Sequence, residues 1–441
     1  MQTSSGGFFP LREYALLWRL VRPFIARHKR LRDDFPLRLV PDAWKPPFVA
    51  DVWIQAASGG ESFLVRQLLG ELHDLVVRDS GRRVRILCTS CTRQGLDVLE
   101  AAREYGKAAW PGLEIAVRVF PLDEPTIMRR ARDYASPGAV VLLETELWPG
   151  LMAACAEGGI PLLTINGRMT AKSYSGYRWF ASLWKKIAPT RILAMAEADA
   201  SRFAALFGEE RVSCMPNMKF DGMSLVLPAP GAASLAVKLL PSGLPVILLA
   251  SVREEEEPLL APVLAYLREH APEAALVVAP RHMERALAWK GALETAFGPE
   301  NTALASALDG AASHVRTVLP GTAVVWDTFG QLQGLYGRAD AVFVGGSLAP
   351  LGGQNFLEAA GQGRVPVIGP HWKNFAWVGE AFFDSGLGIR IPDAQALGPA
   401  LVALLREAPG PKVLRRKVLD YMAPRRGGTR QAAEAVWALI G

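Results

Sequence analysis

Several stretches of the chain bring acids, bases and glycines together in ways that can do chemistry. In Trp53-Ile54-Gln55-Ala56-Ala57-Ser58-Gly59-Gly60-Glu61-Ser62 an apolar run tips into glycines and then into the helical pattern of residues 63–77. Glycines at such a turn permit positive φ and close approach of a ligand to the backbone. Glu61 at the helix start feels the positive end of the helix dipole, which favours its carboxylate form. There it can take a proton from an attacking hydroxyl, or it can merely stabilise the first helical turn. In Val140-Val141-Leu142-Leu143-Glu144-Thr145-Glu146-Leu147-Trp148-Pro149 two acids follow another apolar run. Strand alternation puts Glu144 and Glu146 on one side, where they can act on hydroxyls or on a positive transition state, unless they are simply solvated loop acids. Asn166-Gly167-Arg168 ends the next run, and Arg168 can meet a phosphate or carboxylate.

The carboxyl half offers cationic and glycine-rich sites. Val277-Val278-Ala279-Pro280-Arg281-His282 places Arg281 for a bidentate phosphate grip, with His282 as a second donor. Gly345-Gly346-Ser347-Leu348 and Gly352-Gly353-Gln354-Asn355-Phe356-Leu357-Glu358 read as glycine turns whose backbone N–H groups face an anion, with Glu358 on ribose hydroxyls. There is no Walker A sequence, H-E-x-x-H, G-x-S-x-G or strand-flanked D-x-D, which counts against an ATPase, metalloprotease, lipase or metal-dependent sugar transferase. Cys88-Thr89-Ser90-Cys91 has C-x-x-C spacing but no second pair to complete a zinc set, so it reads as core before it reads as a redox or metal site.

The elements that must position these residues are strands followed by helices. Apolar runs at 52–57, 84–91, 115–120, 139–143, 161–165 and 191–195 alternate with helical patterns, and the alternation restarts at 246–250, 275–279, 323–326, 341–344 and 365–368. Each run is continuous rather than period-two, as in parallel strands covered on both faces by helices. The expectation is two doubly wound Rossmann-like α/β domains facing a central cleft, over 46–224 and 244–441, joined by a Pro/Gly-rich linker at 225–243.

Composition agrees with a folded chain: of 441 residues, 50% are hydrophobic and 21% charged. The formal charge is +6, and residues 1–45 alone hold nine basic groups against four acidic ones. On a helical wheel Tyr14, Leu17, Trp18, Val21, Phe24 and Ile25 share a face beside Arg12, Arg19, Arg22, Lys29 and Arg30, with Pro23 expected to kink the helix. Such a segment either lies in the headgroup layer of an anionic membrane or packs on its own domain. No run reaches the roughly 18 apolar residues of a spanning helix, and no secretory leader is apparent, so a cytosolic location is expected. With the positive excess at one end and no aromatic–basic interleaving, nucleic acid is not an expected partner.

Taken in order, these segments resemble the transferases that add 3-deoxy-D-manno-octulosonic acid (Kdo) to a lipid A precursor. The similarity runs from the amino-terminal helix to about Phe375. It rests on Ala57-Ser58-Gly59-Gly60-Glu61, Glu144-Thr145-Glu146-Leu147-Trp148-Pro149, Asn166-Gly167-Arg168, Lys219-Phe220-Asp221, Pro280-Arg281-His282-Met283-Glu284-Arg285, Asp327-Thr328-Phe329-Gly330, Gly345-Gly346-Ser347-Leu348, Asn355-Phe356-Leu357-Glu358 and Gly369-Pro370-His371. The resemblance implies a GT-B fold, CMP-Kdo as donor, no metal and no cofactor, and inverting transfer at the cytoplasmic face of the bacterial inner membrane. It makes Glu61 the base, with Glu144 and Lys219 stabilising the transition state. Arg281, His282, Phe329, Gly330, Gln331, Asn355, Phe356, Leu357 and Glu358 would hold CMP, and Ser58, Gly60, Glu146 and Arg168 would serve the acceptor or support the site. An acceptor that is a lipid also implies a membrane-associated segment over 1–45. Three positions and one stretch depart from the family pattern: Gly59 in place of the usual Val, Gln331 in place of Glu, Gln354 in place of His, and Ser251-Val252-Arg253-Glu254 in place of a Ser-Thr-His-containing stretch. The rivals are another GT-B transferase or epimerase using a UDP-sugar, and a two-domain ligand-binding protein without catalysis.

Overall fold

The computed structural model describes residues 9–27, 34–40, 44, 47–79, 81–145, 147–222, 235–309 and 317–441. Every apolar run noted above forms a strand. In the first domain β1 (Val52–Ala56), β2 (Val84–Ser90), β3 (Leu113–Val119), β4 (Ala139–Leu143), β5 (Leu162–Gly167), β6 (Arg191–Ala194) and β7 (Val212–Cys214) pair in the order β3-β2-β1-β4-β5-β6-β7. In the second, β8 (Val246–Val252), β9 (Ala275–Pro280), β10 (Thr302–Leu304), β11 (Ala323–Val325), β12 (Ala341–Val344), β13 (Pro366–Ile368) and β14 (Ile389–Arg390) pair in the order β10-β11-β9-β8-β12-β13-β14. All the pairings are parallel. Every residue of β1, β4, β8, β9 and β12 is buried, which is why these strands read as unbroken apolar runs. In each sheet the strand order reverses beside the first strand, between β1 and β4 and between β8 and β12. The carboxyl ends there are where open α/β sheets receive ligands.

The chain divides into residues 1–223 with 425–441, and residues 224–424. The expectation that the second domain runs to the carboxyl terminus is therefore corrected. The helix Gly428–Ile440 returns to the first domain and buries Ala432, Ala433 and Val436 in one core with Leu68 and Leu72 of the helix Gly59–Asp79. Both carboxylate oxygens of Asp221 cap it, accepting the N–H groups of Gly427 and Thr429 at 2.7 Å each. Gly428 lies so close to the Pro216 carbonyl that a Cβ there would stand 2.1 Å from its oxygen. The expected linker lies mostly outside the described residues, and Leu235–Leu239, inside that range, is a short helix of the second domain.

The amino-terminal helix spans Phe9–Arg27 and continues through Pro23. Its expected single apolar face is divided. Trp18 and Ile25 pack against the first domain's core, the Tyr14 hydroxyl donates to Asp123 Oδ2 at 2.8 Å, and Arg22 pairs with Glu124 at 3.6 Å. Leu16, Leu17, Leu20 and Phe24 are exposed, Leu20 and Phe24 by 70% or more, so the helix docks by one stripe and presents another to its surroundings. Among the described residues no helix is long and apolar enough to cross a membrane.

Replacing Asp221 with Ala leaves two helix-start N–H groups without their acceptor. The expected cost is about 1–2 kcal/mol. Thermal melting should show it, and limited trypsin digestion should cut earlier at Arg425 and Arg426. Unchanged melting and digestion would remove this account of how the carboxyl terminus is held.

Candidate active site

In the first domain the site is built where β1 and β4 end side by side. A buried polar chain underlies it: Trp53 Nε1 donates to Thr89 Oγ1 at 2.8 Å, and Thr89 Oγ1 donates to Gln55 Oε1 at 2.6 Å. The helix after β1 starts at Gly59, and neither Gly59 nor Gly60 takes positive φ, so the expected left-handed turn is absent. What Gly59 supplies is room. A Cβ there would stand 2.8 Å from the Gln94 side chain, which fills the space a larger residue would occupy. Gly60 is exposed, and Ser58 Oγ accepts the Glu61 N–H at 3.4 Å.

Glu61 is buried and its Oε2 accepts the Ala57 N–H at 2.6 Å. The helix-dipole argument favoured ionisation, but burial dominates and lifts the Glu61 pKa to about 7; the Ala57 N–H and Lys219 oppose the rise, and Glu144 adds to it. Glu144 stands after β4 at φ 52°, so strand alternation stops at Leu143 and does not set its direction. Its partners do. Lys219 Nζ lies 2.5 Å from Glu144 Oε1, and Asn166 Nδ2 donates to the same oxygen at 3.4 Å. Asn166, also left-handed at φ 51°, accepts the Met218 N–H on Oδ1 at 3.0 Å, tying the Lys219 turn to the end of β5. Left-handed non-glycine residues cost about 1–3 kcal/mol each and persist where surrounding contacts impose them, often at functional sites. The Arg168 N–H donates to the Glu144 carbonyl at 3.3 Å. Glu146 lies outside the described residues. Cys88 is wholly buried, with its thiol pushed up to about 12 by burial, as suits core.

In the second domain Arg281, Phe329, Gly330 and Gln331 line one cavity of about 180 Å³, together with Ser251, Trp326 and Thr328. Trp326 Nε1 and Thr328 Oγ1 are buried without a partner among the described residues, a donor and a hydroxyl left for a ligand. Phe329 is 89% exposed, a flat ring available for stacking. Beside this lies Glu358, whose pKa burial raises while the Asn355 amide and the charge of Arg281 lower it; Asn355 Nδ2 donates to Glu358 Oε1 at 2.9 Å. His282 is exposed, with Nδ1 3.9 Å from Glu284 Oε1. Two expected donor residues need correction: the side chains of Phe356 and Leu357 are in the core, Phe356 among Trp372, Phe375, Phe382 and Phe383. Only their backbone can meet a ligand. Sequence reasoning gave no site role to Ser251, Trp326 or Thr328, although Ser251 and Thr328 lie in segments quoted above; none of the three carries a charge or glycine signal.

The glycine loop after β12 also differs from expectation. Its N–H groups face an anion, but that anion is the chain's own Glu256. The Glu256 carboxylate accepts N–H groups from Gly346 at 2.6 Å and from Ser347, Leu348 and Arg253 at 3.0 Å each.

A carboxyl whose folded pKa is raised binds its proton more tightly in the folded state. That contribution to stability is full below the ordinary value of 4.5 and is lost as pH rises through about 7. Glu61→Gln should therefore gain in melting temperature over the parent at pH 8 relative to pH 5. A difference independent of pH would show that Glu61 is not held protonated by burial.

Comparison with known proteins bears on the whole chain and its fold. Residues 25–222 match the family model for 3-deoxy-D-manno-octulosonic-acid transferase. The chain is 28% identical to the 3-deoxy-D-manno-octulosonic acid transferase of Bordetella pertussis over 90% of this chain and 89% of that one. It is 26% identical to that of Rickettsia bellii over 80% and 79%. Among solved structures, a glycosyltransferase from Rickettsia africae superposes with a TM-score of 0.54 at 11% identity, over 89% of this chain and 99% of that one. Anabaena HepE in complex with UDP-glucose gives 0.51 at 12%, over 88% and 99%. At such identities the likeness is one of fold, two parallel-sheet α/β domains of GT-B type. By its matched amino-terminal domain and by relatives that span both domains, the chain is similar to the Kdo transferases, which are glycosyltransferases.

Proposed function

We propose that this chain transfers Kdo from CMP-Kdo to a lipid A precursor of the lipid IVA type in lipopolysaccharide core biosynthesis. The observation that carries the reading is Glu61, a buried carboxyl with its pKa near 7 beside the Lys219–Glu144 ion pair. A base that titrates near the working pH takes a proton readily and is present in the required form.

The reaction is one displacement. A sugar hydroxyl of the acceptor gives its proton to Glu61 as its oxygen bonds to the anomeric carbon of Kdo. The bond from that carbon to the phosphate oxygen breaks, CMP leaves with the electron pair, and the anomeric configuration inverts. Glu144 offsets the positive charge that develops on the sugar ring, and Lys219 with Asn166 holds Glu144 in place. Arg281 and His282 meet the charge on the departing phosphate, so the step runs without a metal. Trp326 Nε1 and Thr328 Oγ1 are polar groups awaiting a partner in the nucleotide pocket, and Glu358 with Asn355 suits ribose hydroxyls. Ser58, Gly60 and Arg168 stand on the acceptor side, around Glu61 and Glu144.

A lipid acceptor calls for a surface that meets the bilayer, and two features of the first domain suit an anionic one. The first is the exposed stripe Leu16, Leu17, Leu20 and Phe24 of the docked helix. The second is the segment around Trp179 and Phe180, exposed by 78% and 57%. From Gly158 to Ala196 the sequence holds six basic residues and no acidic one. Each large apolar side chain moved from water into acyl chains contributes on the order of 1 kcal/mol or more, and basic groups add attraction to anionic lipid. The working location is the cytoplasmic face of the bacterial inner membrane.

Mass analysis of lipid products from purified protein, CMP-Kdo and a lipid A precursor tests the reading; no Kdo adduct, or an adduct with a UDP-sugar instead, would overturn it. Glu61→Gln should lower turnover by about 10²- to 10⁴-fold with the fold intact. In the parent enzyme turnover should rise with pH and level off above about 7, as Glu61 loses its proton. For the surface, Leu20→Ser with Phe24→Ser should weaken co-sedimentation with vesicles containing phosphatidylglycerol. Undiminished binding would remove the helix from the membrane contact.

A further inference from the structure

The N–H nest at the carboxyl end of β12 is the place in this sheet where a doubly wound domain normally seats a ligand phosphate. It is occupied by the fully buried carboxylate of Glu256, which accepts four backbone N–H groups, three of them from Gly346, Ser347 and Leu348. The nest adjoins the nucleotide cavity. Ser251, strained at φ 53°, lines that cavity, and its carbonyl oxygen lies 2.7 Å from where a Cβ on Gly345 would stand. On its other side, the loop accepts the Gly353 and Gln354 N–H groups, leading into the Asn355–Glu358 segment.

We propose that Glu256 is a specificity-determining residue: its carboxylate takes the place of a second phosphate and so restricts the donor to a nucleoside monophosphate sugar. The inference rests on the CMP-Kdo reading and deepens it. A nucleoside diphosphate sugar brings one more anionic group than Arg281 and His282 serve. That group finds the N–H donors beside the cavity already used and a negative charge buried behind them, so it is rejected by repulsion and by unpaired hydrogen bonds together. A monophosphate donor has no such group and loses nothing.

The test is the ratio of CDP to CMP affinity, measured by calorimetry on the full chain. The parent should prefer CMP. Glu256→Ala should raise the CDP-to-CMP ratio about tenfold or more, and Glu256→Asp, which keeps the charge, should stay near the parent ratio. An altered ratio is a readout that loss of stability alone does not produce. If Glu256→Ala does not fold, Glu256→Gln, of nearly the same shape and uncharged, takes its place. An unchanged ratio in the folded neutral variant, or a parent that binds CDP as well as CMP, overturns the inference. Failure of the donor reading looks different, because the parent then binds neither cytidine nucleotide. In that case inorganic pyrophosphate judges the nest: it should raise the melting temperature of the neutral variant and not that of the parent, and an equal effect on both overturns the role given to Glu256.

Discussion

At the carboxyl ends of β1 and β4 two carboxyls share one ammonium, and the sharing is unequal. Lys219 sits 2.5 Å from Glu144, while its effect on Glu61 is the weakest of the influences acting there. Had Lys219 paired with Glu61 instead, that carboxyl would stay ionised well below neutrality and be a poor base. Had it paired with neither, two buried carboxyls would compete for a proton and one would hold it tightly. The arrangement present leaves burial to set Glu61 near 7 and assigns the cation to the neighbour. Much of the first domain's local structure serves this assignment: the left-handed turns at Glu144 and Asn166, and the hydrogen bond from Met218 that brings Lys219 into range.

The two domains use the same topological position in different ways. Each has a glutamate at its switch point bonded to backbone N–H groups, but Glu61 accepts one such bond and Glu256 accepts four. One donor leaves a carboxyl that can exchange its proton. Four donors make a carboxylate part of the scaffold, because removing it would strand every N–H that points at it. Glycine-rich loops look alike in sequence whichever occupant they have. The anion in the nest is named only by a residue about ninety positions away, which is why reading Gly345-Gly346-Ser347 as an open phosphate site went wrong.

What the sequence showed and what it hid follow from burial. Central strands are covered on both faces, so they stand out as continuous apolar runs, and all eleven such runs are strands. The strands with no such run, β7, β10 and β14, are two or three residues long, lie at sheet edges and have no buried residue. The positions of Glu61, Glu144 and Arg281 were legible because acids and bases directly after apolar runs are conspicuous. Their energetics were not. The dipole argument at Glu61 pointed to ionisation, whereas the largest influence there is desolvation, which depends on what packs around the side chain. Likewise Phe356 and Leu357 belong to a motif whose polar members, Asn355 and Glu358, bond one another while these two face the core. The carboxyl-terminal helix was given to the wrong domain because Asp221 and Gly428, which fix it, are about two hundred residues apart.

The amino-terminal helix illustrates how one apolar pattern can serve two solvents. A stripe at Tyr14, Trp18 and Ile25 is held by the first domain, and the remaining apolar residues are left outside. The hold is partly polar. Burial raises the Asp123 pKa to about 7, opposed by donors from Gly150, Tyr14 and Leu151, and the Tyr14 hydroxyl is pushed up by burial and by Asp123, so it remains a donor. Gly150 and Leu151 begin the helix Pro149–Gly158, a few residues beyond Glu144. One carboxyl thus fastens both the helix that presents an apolar stripe and the segment that follows the charged pair. The exposed stripe and the segment after the Glu144–Lys219 pair are anchored at a common point. A displacement of the helix that broke the Tyr14 contact would leave Asp123 with two of its three donors. The domain's own packing, rather than a flexible tether, therefore fixes the apolar stripe relative to Glu144.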